Sequence, residues 1–167
     1  MTKKDRAASA ADQWNREKPG LNTGPMVALG RLGEATQKIR QDYLEPNFAA
    51  HGLKAGDFDV LATLRRSGPP YALTPTELYQ NAMISSGGMT ARADRLEKAG
   101  LVERKPHPTD RRALTIGLTK KGLVLIDRVL PDHVAAQERA TTGLTETELE
   151  TLSALLAKLI AGLEKEQ

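Results

Sequence analysis

The sequence contains no cysteine. Disulfides, iron–sulfur clusters, thiolate zinc sites and cysteine nucleophiles are thereby excluded, and a cytoplasmic location is expected. Aromatic residues make up only 4% of the 167 positions, too few for a platform on which single-stranded nucleic acid stacks. No apolar run approaches the roughly 20 residues that span a bilayer, so no membrane partner is expected. Met1-Thr2-Lys3-Lys4-Asp5-Arg6 is not followed by a long apolar core, and no secretory signal is expected. His51, His107 and His133 have neither His-x-x-x-His nor His-Glu-x-x-His spacing. There is no Gly-x-Ser-x-Gly elbow, and Ser85-Ser86-Gly87-Gly88 lacks the lysine of a phosphate cradle. The expectation is a protein that is not an enzyme and needs no cofactor or metal.

What is present is a foldable chain, 40% hydrophobic and 27% charged, with a net charge of +3. That charge is unevenly placed. Residues 92–121 hold nine Lys/Arg and four Asp/Glu, whereas residues 132–167 hold seven acids and three bases. A basic block beside an acidic flank suits one polyanion-facing segment. A run of charge is also what a solvated helix face looks like, and composition does not separate the two.

Residues 7–18, around Trp14, read as a helix ended by Pro19-Gly20. Residues 25–48 carry Met26, Leu29, Leu32, Ile39 and Tyr43 on one helical face, with Pro46 ending or kinking the segment. A helix is expected over 57–65, and a short one over 74–81, opened by the capping box Thr74-Pro75-Thr76-Glu77. The next helix spans about 86–99, capped by Ser85 or Ser86 and closed by Gly100. Residues 101–105 and 113–118 read as strands around a basic tip, Pro106-His107-Pro108-Thr109-Asp110-Arg111-Arg112. Thr119 caps a long helix to about 142, kinked at Pro131. Thr145-Glu146-Thr147-Glu148 opens a last helix with a stripe of Leu149, Leu152, Leu156, Leu159 and Leu163.

Helix, short helix, helix and β-hairpin in this order spell a mainly α, α+β winged helix-turn-helix over 53–118. Helical regions over 1–50 and 119–167 flank it within one domain. Their stripes carry more apolar surface than a small module covers, and a homodimer with two reading helices about one DNA turn apart is expected. The DNA-facing set is Ser85, Ser86, Gly88, Met89, Thr90, Arg92, Arg95, Lys105, Arg111 and Arg112. Arginines offer bidentate donors to guanine or phosphate, glycines let backbone approach, and the hairpin tip reaches an adjacent groove. Each signal is weak alone; together they favour double-stranded DNA as partner. The alternative is a winged-helix protein-interaction or structural dimer without operator recognition.

The run Asp57-Phe58-Asp59-Val60-Leu61-Ala62-Thr63-Leu64-Arg65-Arg66-Ser67-Gly68-Pro69-Pro70 resembles the MarR family of transcriptional regulators. So do Leu73-Thr74-Pro75-Thr76-Glu77-Leu78, the stretch from Ser86-Gly87-Gly88-Met89 to Leu101-Val102-Glu103-Arg104, Asp110-Arg111-Arg112 and Leu118-Thr119-Lys120-Lys121-Gly122. The helix around Trp14 is similar to an extra N-terminal helix in the urate-responsive branch. That resemblance implies a repressor released by a small anionic ligand, such as urate or a carboxylate. It also implies a pocket of Trp14, Asp59, Arg92 and Arg104. In the switch so implied, Asp59 pairs with Arg92 until the anion displaces it toward Arg104. Many members carry an arginine at the wing tip where this chain has Pro108-Thr109.

Overall fold

The structure, a computed structural model, describes residues 5–83, 88–107, 109–110 and 113–165. The chain divides into two compact units, Met1–Tyr43 and Leu44–Gln167.

The first unit pairs α1 (Arg6–Glu17) with α2 (Gly24–Lys38). Asp5 caps α1, accepting the Ala8 N–H at 2.8 Å, and binds Arg31 of α2 at 2.8 Å. The Ala8 N–H first, then Arg31, hold the Asp5 carboxyl below its usual range. Ala11 is buried, and Ala7 packs on Gly30. Pro25 takes the first turn of α2, where its missing N–H costs nothing.

The apolar face expected on one helix over 25–48 is distributed differently. The α-helix stops at Lys38 and a π-helical stretch, Ile39–Leu44, follows; the two units divide within it. Pro46 then sits in the first turn of a new helix, α3 (Glu45–Ala50). Proline cannot donate to the carbonyl four residues back, and the hydrogen-bond register changes ahead of it.

The second unit continues with α4 (Ala55–Arg66), β1 (Ala72–Leu73), α5 (Pro75–Asn81) and α6 (Met89–Lys98). Strands β2 (Val102–Pro106) and β3 (Leu114–Leu118) precede α7 (Lys120–Thr141) and α8 (Glu146–Glu164). The sheet is antiparallel in the order β1-β3-β2. Val102 faces Leu118 and Pro106 faces Leu114. β1 adds to the two strands expected from sequence: its two residues exist as strand through pairing with Gly117 and Ile116. Val60, Leu61, Leu64, Leu78, Leu96, Ile126 and Val129, at 0–2% exposure, form the core. Each contributes about 1.5–3 kcal/mol by leaving water. Pro131 lies inside α7, as expected. The leucine-bearing α8 buries none of its residues.

Candidate nucleic-acid interface

The short helix α5 is built locally. Thr74 Oγ1 accepts the Glu77 N–H at 3.3 Å, and the Glu77 carboxylate accepts the Thr74 N–H at 2.8 Å. The Thr74 N–H first, then the Thr74 hydroxyl, which also donates to the carboxylate at 2.8 Å, hold the Glu77 carboxyl below its usual range. Arg66 of α4 donates to the Asn81 carbonyl, tying down the far end of α5. Leu78 anchors the helix in the core.

The next helix, α6, starts at Met89, where the sequence predicts a helix from about residue 86. Its N-cap is Gly88, at φ +83°, a left-handed conformation open to glycine. As a glycine, this N-cap brings no side chain of its own to the first-turn N–H groups. Gly88 and Thr90 are exposed. Met89, named in the DNA-facing set, is buried in the core with Ala93 and Leu96 on the apolar side of α6. Ser85, Ser86, Arg111 and Arg112 lie outside the described residues.

Two ion-pair clusters hold α6. On one side Asp57, in the first turn of α4, takes Arg95 Nη2 at 2.5 Å and Nε at 3.2 Å. On the other, Arg104 of β2 bridges Asp94 at 2.5 Å and Glu97. The bonds to Asp57 and Asp94 raise the pKa of Arg95 and Arg104 respectively. Arg104 is thus engaged with α6 itself. Lys105, exposed on the same strand, pairs with Glu103 at 2.5 Å.

Asp59 is half-buried in α4 and accepts the Met83 N–H at 3.1 Å. Burial pushes its carboxyl pKa up; the Met83 bond and then the charges of Arg66 and Arg92 oppose the shift. Asp59 and Arg92 are therefore within electrostatic reach of each other. Trp14 is 43% exposed and belongs to the first unit.

The wing closes through the His107 N–H on the Ala113 carbonyl at 3.0 Å. His107 Nδ1 accepts the Thr109 and Asp110 N–H groups at 3.3 and 3.2 Å.

Sequence reasoning does not single out Asp57, Gly56, Asp94 or Glu97. A signal for Asp57 is present: it lies four and seven residues before Leu61 and Leu64, on the face of α4 that carries the core.

Residues 51–113 match the family model described as MarR family. The chain is 40% identical over 147 residues to the HTH-type transcriptional regulator PecS of Dickeya dadantii, covering 88% of each. It resembles the crystal structure of Sco3205, a MarR family transcriptional regulator from Streptomyces coelicolor in complex with DNA. That likeness has a TM-score of 0.75 at 27% identity and covers 86% of this chain and 89% of the other. A mutant MarR from E. coli complexed with operator DNA gives a TM-score of 0.70 at 29% identity, covering 87% and 96%. These relatives are transcriptional regulators, not enzymes.

Proposed function

This chain belongs to the MarR family of DNA-binding transcriptional regulators, and we propose that it is a homodimeric repressor released from a palindromic operator by a small anionic ligand. The observation that carries the reading is the construction of α6. It starts on a left-handed Gly88, exposes Thr90, and is braced by ion pairs to α4 and β2. Such a helix offers N-terminal N–H groups to phosphate and side chains to base edges of the major groove. Gly88, Thr90, Arg92 and Lys105, with Ser85, Ser86, Arg111 and Arg112, make up the DNA-facing surface of this reading.

The second copy covers the leucine face of α8, which nothing in the second unit buries. In a two-fold dimer the two reading helices then meet the duplex about 34–36 Å apart, one helical turn.

The ligand reading centres on Asp59. A half-buried carboxylate with a raised pKa, beside Arg66 and Arg92, marks a group kept for interaction rather than stability. A planar anion competing for Arg92 would displace that partner and bias α6 away from its DNA-bound pose. Trp14 and Arg104 complete the ligand set by resemblance.

The test is selection of bound duplex from a random pool by the full-length chain, followed by titration with urate and with small aromatic carboxylates. Retention of a palindrome against nonspecific competitor, with release by one of these anions, is expected. Retention without release by any anion removes the ligand part. Binding indifferent to sequence removes the operator.

A further inference from the structure

Asp57 is the only charged residue that is buried among the described residues, at 4% exposure. An ionised carboxylate in that position requires donors, and it has them. The Lys54 N–H reaches it at 3.2 Å, closing the start of α4. The Nε–Nη2 edge of Arg95, 38 positions along the chain, reaches it at 2.5–3.2 Å. This is the side-on arrangement in which one arginine edge is committed to one carboxylate.

The neighbouring residue completes the seat. A Cβ built on Gly56 would overlap Nε and Cδ of Arg92, so the Arg92 side chain lies directly over the glycine backbone. Arg92 and Arg95 are three residues apart and share one face of α6. The dipeptide Gly56-Asp57 therefore receives that whole face: glycine takes the shaft of one arginine, aspartate the head of the other. Across α6, Asp94 and Glu97 hold Arg104 of β2. Helix α6 donates a positive group to α4 and presents negative groups to β2, and these two attachments fix its rotation about its own axis.

Resting on the DNA-binding reading, we infer that Asp57 and Arg95 are a positioning pair. Asp57 sets the rotation of the reading helix, and it withholds Arg95 from phosphate, so Arg95 contributes no counterion release of its own. Base and phosphate contact from this face falls to other residues of α6.

The test uses full-length protein and two duplexes of equal length, one selected by the wild type from a random pool and one of random sequence. Affinities are measured across a salt series for wild type, Asp57→Asn, and the double variant Asp57→Asn with Arg95→Gln. In Asp57→Asn the charge left without its partner is Arg95, whose side chain is 42% exposed; the double variant removes that charge as well and so separates its effect from the loss of the pair. The slope of log affinity against log salt changes by about one for each phosphate that the protein newly neutralises or ceases to neutralise. The double variant is expected to keep the wild-type slope. Asp57→Asn is expected to lower the preference for the selected duplex at least tenfold, and the double variant to recover part of it, since its amides restore a hydrogen-bonded pair. A double-variant slope shallower by about one would show that Arg95 touches phosphate and overturn the inference. Full preference in Asp57→Asn would overturn the positioning role. A wild type that prefers no duplex would fail the DNA-binding reading itself, a result separable from either.

Discussion

The Asp59 carboxylate accepts the backbone N–H of Met83 at 3.1 Å, tying α4 to the chain just beyond α5. The bond does not make Asp59 a stabilising ion: burial raises its pKa above the ordinary 3.8. For an acid shifted this way, the native state binds the extra proton. Its contribution to stability is fully present below pH 3.8, and it is lost as pH rises through the raised value. Asp59→Asn keeps an oxygen for Met83 and removes the buried charge. The variant is therefore expected to melt at or above the wild-type temperature at pH 7, while its DNA complex no longer responds to the releasing anion. Thermal melts from pH 4 to 7 beside a release titration check both halves. A lower melting temperature at pH 7 would mean that the ion is worth more than its burial costs.

Thr119 acts at the junction between reading helix, wing and α7. Its Oγ1 accepts the Gly122 N–H at 3.0 Å and donates to the Gly100 carbonyl at 2.7 Å. Thr119→Val keeps the shape and removes both bonds. The expected loss is about 1 kcal/mol, the typical value of an N-cap, read as a lower urea midpoint with unchanged slope. A changed slope would place the effect in the unfolded chain instead.

Interactions that close within four residues are legible from sequence, because spacing alone specifies them. The boxes at Thr74/Glu77 and Thr145/Glu148 and the cap at Thr119 are of this kind. So is the wing, whose alternation of Leu114, Ile116 and Leu118 needs no partner to be recognised. What escapes is set by distant neighbours. β1 is two residues long and owes its form to Gly117 and Ile116. The pairing of Asp57 with Arg95, and of Arg104 with Asp94 and Glu97, joins elements whose approach no local pattern encodes. The start of α6 differs from expectation for another reason. Ser85 and Ser86 are good caps, but Gly88 in the left-handed region is where the helical hydrogen bonds begin, with the Arg92 N–H on its carbonyl at 2.9 Å.

His133 should make the fold acid-sensitive. Its ring stacks on Phe48 and lies against Phe58, with centroids 5.5 and 4.3 Å away, and its buried Nδ1 has no partner. Burial lowers its pKa below the ordinary 6.5. The stability this confers is present above pH 6.5 and is lost as pH falls through the lowered value, where the native ring must charge. His133→Phe retains the stack and removes the orphaned nitrogen. It is expected to match or exceed wild-type stability at pH 7 by about 1 kcal/mol, and to flatten the decline between pH 7 and 5. An equally steep decline in the variant would assign the acid sensitivity to groups other than His133.

The outer face of α8 offers the most direct test of the dimer. Leu155, Leu159, Ile160 and Leu163 are 40–60% exposed, although each leucine taken out of water is worth about 1.5–3 kcal/mol. Leu155→Glu places a charge in that strip without touching the core, since α8 buries no residue within its own unit. If a second copy covers the strip, the charge has no partner there and desolvation opposes association. Light scattering is then expected to show monomer at concentrations where the wild type is dimeric. Affinity for the selected palindrome should fall at least 100-fold, because one reading helix cannot engage two half-sites. A Leu155→Glu protein that stays dimeric and keeps its operator affinity would move the two-fold contact to another surface.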